Sequence, residues 1–215
     1  MIRIALTKGR IESESLKLLT KAGYDCSELL DKEKKGRKLL FKLGDEDIEL
    51  VLAKAADVIT YVEHGVCDAG IVGKDTIMEQ GKRFYELLDL GFGKCRFALA
   101  GPAGKDFYAG YGRKIVASKY PNVAKAYFNS RGADVEVVKI EGSVELAPLL
   151  GLAGGIVDIV ETGSTLKANG LEVYEDIADV SARFIVNVAS IKLKKSELDT
   201  LIGRISAVLE QKTEE

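Results

Sequence analysis

Residues 158–171 read DIVETGSTLKANGL, and the first eight of them bring two carboxylates, three hydroxyls and a glycine to one junction. The run GIVDIV (155–160) has the pattern of a buried strand, and the small residues after it lead into a helix start. Gly163 lets the backbone approach a ligand with no Cβ in the way. Thr162, Ser164 and Thr165 offer hydroxyl donors, and the first amides of a helix lack intrahelical partners. A phosphate monoester, with several acceptor oxygens, suits such a turn. Glu161 closes the strand. Asp158, three residues earlier, can accept hydrogen bonds from vicinal sugar hydroxyls or hold magnesium through water. The same TGST would also serve as a plain N-cap. The acid-bearing strand before it and the glycine inside it favour the phosphate.

Three further stretches share this layout. TKGR (7–10) follows an apolar run and contains a glycine, and its Lys8 and Arg10 form a cationic pair fit for a polyanion or, equally, a solvated helix start. KAAD (54–57) follows ELVLA, and EGSVELAP (141–148) follows VEVVKI. Arg37 in GRKLLF is another candidate cation beside its plainer reading as a solvated loop charge.

What the chain lacks narrows the chemistry. Its one histidine, His64, precedes Gly65 and reads as a C-terminal helix cap. Any Ser-His-Asp arrangement would have to use it. Cys26, Cys67 and Cys95 have no zinc spacing and suit reduced thiols of a cytoplasmic protein. No Walker A pattern occurs, and the GxGxxG begun by Gly91 and Gly93 fails at Arg96. A net charge of −2 supplies no basic field for nucleic acid. No apolar run reaches membrane-spanning length, and charges interrupt the N-terminus where a signal peptide would be apolar.

The elements that must position these residues follow from periodicity. Strands are expected at 2–6, 48–53, 69–72, 97–100, 114–117, 135–140, 155–160 and 183–192, and helices at 12–22, 55–64, 74–80, 123–130, 143–153 and 195–210. Runs such as AGIVG and GIVDIV are apolar on both faces, which suits parallel strands covered by helices. The alternation predicts an α/β fold. Two strand-to-helix junctions, DAGIVGKDT (68–76) and GIVDIVETG (155–163), resemble each other, as two facing α/β lobes with a ligand cleft would explain. The expected division is 1–91 plus 177–215 for lobe I and 92–176 for lobe II, with ligands outside the carboxyl ends of the strands.

EGSVELAP (141–148), then VDIVETG (157–163) with Thr165-Leu166 and NGL (169–171), resembles the ATP phosphoribosyltransferase family. TKGR (7–10), DVITY (57–61) with His64-Gly65, and FALAGP (97–102) fit it too. The resemblance covers about residues 1–208. It implies two periplasmic-binding-protein-like (type II) lobes. It also implies a reaction in which N1 of ATP displaces pyrophosphate from 5-phosphoribosyl-1-pyrophosphate (PRPP), the first step of histidine biosynthesis, with Mg2+ present. The chain ends soon after its last expected helix and so resembles the short form. That form works with a regulatory subunit similar to histidyl-tRNA synthetase, in a hetero-oligomer built on a homodimer.

Carried over by motif, Glu161, Thr162, Gly163, Ser164 and Thr165 hold the ribose 5-phosphate of PRPP. Asp158 and Glu141 serve the ribose hydroxyls or the metal, whose ligands stay open. Lys8, Gly9 and Arg10 lie near the triphosphate of ATP or the pyrophosphate, with Lys54 close by; Lys8, Arg10 and Lys54 are the candidate catalytic cations. The chain departs from the commoner family pattern at Lys54, where many members have arginine, and at Ile59, where many have proline. Lysine keeps the charge but loses the planar fork. Two other readings stand beside this one: a nucleobase-salvage phosphoribosyltransferase, and a non-catalytic two-lobe solute-binding protein.

Overall fold

The computed structural model describes residues 1–44, 47–81 and 83–211. The chain forms two compact units: Met1–Ile77, Gly81–Gly93 and Ser181–Glu215 make one, and Met78–Gln80 with Lys94–Val180 make the other.

The first unit begins with β1 (Ile2–Thr7), α1 (Arg10–Lys21), α2 (Ser27–Leu30), α3 (Lys32–Lys35), β2 (Leu40–Lys42), β3 (Ile48–Ala53), α4 (Ala55–Glu63), β4 (Ala69–Gly73), α5 (Lys74–Gln80) and β5 (Tyr85–Asp89). β1 is buried on both faces apart from Arg3, as its central place demands, and runs parallel to both β3 and β4. The Arg3 guanidinium answers Glu49, its partner in register on β3, at 2.7 Å. Gly70 in β4 has a steric reason: a Cβ there would sit 2.8 Å from Val58 Cγ1 and 2.9 Å from Val62 Cγ2, so glycine is what lets α4 pack against the strand.

The second unit holds β6 (Cys95–Pro102), β7 (Lys114–Ser118), α6 (Pro121–Ser130), β8 (Val135–Lys139), α7 (Leu146–Leu149), β9 (Gly155–Val160), α8 (Ser164–Ala168) and β10 (Leu171–Val180). Its sheet order is β10-β6-β9-β7-β8, with β7 parallel to both β8 and β9 and with β6 antiparallel to β9 and β10. Phe97, Phe128, Val116 and Val157 fill one apolar layer of this unit, and Ala98, Ile156, Val160 and Leu166 fill another.

The chain then returns to the first unit as β11 (Ala182–Val186), α9 (Ser190–Leu193) and α10 (Lys195–Gln211). The six-stranded order is β2-β3-β1-β4-β11-β5, so β11 inserts between β4 and β5 and pairs antiparallel with both. α10 buries Leu198, Leu201, Ile205 and Val208, a 3–4 spacing that presents one apolar stripe. Asp68, just before β4, accepts from the Arg3 amide at 2.9 Å, the Ser190 hydroxyl at 2.7 Å and the Lys194 ammonium at 2.8 Å.

Several expected bounds shift for local reasons. The expected strand over 183–192 stops at Val186, because the Asn187 carboxamide oxygen accepts from the amides of Ala189 and Ser190 and turns the chain into α9. The expected helix over 143–153 shrinks to Leu146–Leu149, with Pro148 inside it and Gly151 at φ +73 just beyond. β2, β5 and β10 have no counterpart among the expected strands.

Candidate active site

β9 delivers the turn at residues 161–165. Gly163 adopts a left-handed conformation at φ +74, and α8 starts on the next residue. Such a φ is cheap only for glycine. The Thr162 hydroxyl donates to the Ser164 hydroxyl at 3.0 Å and accepts the Ser164 amide at 3.4 Å, which draws the turn tight. Glu161, Thr162, Ser164 and Thr165 are exposed. α8 has only five residues, so its dipole is small and an anion here would be held chiefly by amides and hydroxyls.

Cations stand beside the turn. The Arg96 guanidinium, from the start of β6, bonds Asp176 at 2.5 Å and reaches the Glu161 carbonyl at 3.5 Å. A cavity of about 280 Å³ borders the turn, lined by Arg96, Thr162, Gly163, Leu166 and Lys167 among others.

Asp158 pairs in register with Ala98 of β6. Burial pushes its carboxyl up to about 6, and the negative charge of Glu145 adds to the rise; the Ile159 amide and the Lys119 ammonium oppose it. An aspartate raised this far by burial near the end of a strand is a candidate functional group. Glu141, beyond β8, is exposed and ion-paired with Lys139 at 2.6 Å; that bond holds its carboxyl below the usual range. β7 lies between β8 and β9, so Glu141 and Asp158 leave the sheet on strands separated by one other.

Ser118 fixes that intermediate strand. Fully buried, it donates to the Val157 carbonyl at 2.6 Å and accepts the Tyr120 amide at 2.8 Å. Ser118→Ala strands both partners and is expected to cost about 1–3 kcal/mol. A fall in the urea midpoint at unchanged slope would show it; an unchanged midpoint would contradict it.

The first unit holds the other set. Lys8 follows β1 and Lys54 follows β3; Thr7 and Ala53 are partners in register, and the Lys8 amide bonds the Ala53 carbonyl at 2.9 Å. The two lysines therefore leave neighbouring parallel strands at one level, both exposed. Gly9 has φ +97, and its amide donates to the Glu12 carboxylate at 3.3 Å, which caps α1. Arg10 opens α1. Glu12 is nearly buried and also ion-pairs with Lys35. Lys8, Gly9, Arg10 and Lys54 thus gather in one unit. Asp158, Glu161, Thr162, Gly163, Ser164, Thr165 and, two strands away, Glu141 belong to the other.

Sequence reasoning passed over Arg96, Lys119 and Glu145. Lys119 had a usable signal, since it directly follows a run read as a strand, as the other candidates do. Arg96 had none, because its place beside the turn depends on the antiparallel pairing of β6 with β9.

A family model described as HisG, ATP phosphoribosyltransferase, matches residues 54–207. A curated ATP phosphoribosyltransferase from Clostridium kluyveri is 60% identical over 210 residues, covering 98% of this chain and 94% of its own length. The ATP phosphoribosyl transferase (HisG:HisZ) complex from Thermotoga maritima contains a chain that matches with a TM-score of 0.82 and 33% identity, over 99% of each chain. The periplasmic aliphatic sulphonate binding protein SsuA from Escherichia coli matches with a TM-score of 0.57 at 13% identity, over 97% of this chain and 72% of its own. That last likeness is one of fold alone.

Proposed function

The chain belongs to the ATP phosphoribosyltransferase family, and from that premise we propose how its two sets of polar residues divide the work. The reaction transfers the 5-phosphoribosyl group of PRPP to N1 of ATP, giving phosphoribosyl-ATP and pyrophosphate, the first step of histidine biosynthesis. The second unit is the PRPP lobe. Glu161, Thr162, Gly163, Ser164 and Thr165 take the 5-phosphate, and Asp158 accepts from the ribose hydroxyls, with Glu141 serving the same end of the ligand. The observation that carries this is the left-handed Gly163 at the carboxyl end of β9, with no Cβ of its own and flanked by the exposed Thr162, Ser164 and Thr165.

In the transfer, the C1–oxygen bond to pyrophosphate breaks as the N1–C1 bond forms. Positive charge grows on the ribose carbon and negative charge on the departing group. Lys8, Arg10 and Lys54 supply fixed positive charge for pyrophosphate or for the triphosphate of ATP, with the Gly9 backbone beside them. Lys54 offers a point charge where an arginine would offer a fork, so this position binds with less directional control. The described residues contain no group of three or more metal-ligating side chains. Mg2+ fits as a cation held mostly by substrate phosphates and water, with Asp158 or Glu141 as the protein's share. It would supply further charge neutralisation on the departing pyrophosphate.

The HisG:HisZ assembly of the Thermotoga maritima relative supports a regulatory partner and an oligomer for this chain. We take that partner to be histidyl-tRNA-synthetase-like, joined to a homodimer of this chain in the short-form arrangement. Three free cysteines, two of them buried with thiols that burial pushes up, suit a reducing cytoplasm.

The test is an assay with PRPP, ATP, Mg2+ and a pyrophosphatase, run with and without the regulatory partner. Product absorbance is expected with ATP and not when adenine replaces it. Turnover of adenine would point to base salvage, and binding of both substrates without turnover in either assembly would point to a binding protein.

A further inference from the structure

We propose that the ammonium of Lys119 binds the pyrophosphate group of PRPP, one strand over from the turn that takes the 5-phosphate; this rests on the PRPP reading above and extends it to a residue not yet given a role.

Ser118 is the last paired residue of β7, and its partners are Val157 on β9 and Lys139 on β8. Lys119 is the next residue, in the bend just past the paired register, where Asp158 follows Val157 on one side and Ile140, next to Glu141, follows Lys139 on the other. In a parallel pair, residues at one level share a face, and adjacent strands lie about 4.8 Å apart. Lys119 leaves the strand adjacent to the one that carries Asp158, and its charge reaches that carboxyl.

Its backbone is fixed at the root, because Ser118 bonds both the Val157 carbonyl and the Tyr120 amide. Its side chain is exposed and makes no hydrogen bond or ion pair with the described residues. Both neighbouring carboxylates feel its charge, Asp158 and Glu141 alike, but Glu141 is taken by Lys139. Glu145 adds negative charge on the same side. A cation rooted on a fixed backbone, among carboxylates and without a partner among the described residues, is poised for an anion brought from outside. β7 is the immediate neighbour of β9, so an elongated ligand held by its 5-phosphate at the β9 turn and by its ribose at Asp158 can present its pyrophosphate at the end of β7. Ammonium-to-phosphate contacts are charge-assisted and do not need a planar fork.

Three ligands and two variants test this. PRPP, ribose 5-phosphate and magnesium pyrophosphate are titrated by calorimetry into the wild type, Lys119→Met and Lys119→Arg, with melting temperatures to confirm folding. Lys119→Met is expected to weaken PRPP and pyrophosphate about tenfold, to leave ribose 5-phosphate unchanged, and to raise the KM for PRPP and not that for ATP. Lys119→Arg restores most of the loss. Equal weakening of ribose 5-phosphate would put the lysine on the 5-phosphate, and unchanged affinity for all three would make it a solvated side chain; either result overturns the proposal. The phosphate turn stands or falls separately. If wild type fails to bind ribose 5-phosphate, the turn is misassigned, whatever Lys119 does with pyrophosphate.

Discussion

Gly163→Val is expected to weaken binding of PRPP and of ribose 5-phosphate by at least about a hundredfold, through steric block and backbone strain at the turn, while the chain still folds. An added Cβ would meet only Val160 Cγ1, at 3.9 Å, an ordinary contact, so nothing inside the protein expels it. The cost to the fold is conformational. At φ +74 an L-residue is strained by about 1–2 kcal/mol. In a chain of 215 residues that lowers the melting temperature by roughly 2–8 °C. The cost to binding is larger because the isopropyl group fills the open space in front of the turn, where phosphate oxygens must reach amides and hydroxyls. Relief of strain by a backbone shift would also misalign those donors. Gly163→Ala should fall between the two. Calorimetry with both ligands checks the result, with ATP as the control whose affinity is unchanged. Wild-type affinity for PRPP in a folded Gly163→Val protein would remove the turn from the site.

Asp158→Asn is expected to move stability and binding in opposite directions. The wild-type carboxyl is raised from 3.8 to about 6 by burial. For an acid with a raised value in the folded state, the native protein keeps its proton where the unfolded chain has lost it. Its contribution is complete below pH 4 and disappears as pH climbs through 6. The difference of about two units corresponds to roughly 3 kcal/mol at 1.36 kcal/mol per unit. Asparagine does not titrate, so the variant's stability relative to wild type should climb by about that amount between pH 4 and pH 8. PRPP binding should worsen by about tenfold to a hundredfold at pH 8, since a carboxylate accepting from ribose hydroxyls is exchanged for a weaker neutral acceptor. Wild-type affinity should also tighten through pH 6 more steeply than that of the variant. The titration of PRPP itself is common to both proteins and cancels in the comparison. A variant less stable than wild type at pH 8, with unaltered affinity, would show that Asp158 is a structural group and not a ligand-facing one.

The parts legible in the sequence are those whose cause is local. β1, β3, β4, β7, β8 and β9 announce themselves as apolar runs, and the turn after β9 is written in its glycine and hydroxyls. β10 is not legible, since Glu172, Glu175, Asp176 and Asp179 give it the look of a solvated loop. Two register shifts against β6, at 173/175 and 176/178, break the period of two that would have marked it. β5 hides for another reason: as an edge strand it buries little, and its pairing with β11 joins residues nearly a hundred positions apart. The site divides the same way. The donors of residues 161–165 follow from adjacent letters, whereas the closeness of Arg96 to that turn, and of Lys119 to Asp158, follows from which strands neighbour which.

The insertion of β11 between β4 and β5 bears on how the polypeptide emerges from the ribosome. Most of the second unit, from Lys94 to Val180, is one uninterrupted stretch and can close its sheet as soon as it clears the exit tunnel. The first unit cannot. Until Ala182–Val186 are made, the strands that will flank them have no bridge, and the Asp68 carboxylate still waits for Ser190 and Lys194. The portion translated first is thus the portion finished last, and over that interval its open β-edges are the nascent chain's exposure to chaperones and to neighbouring copies.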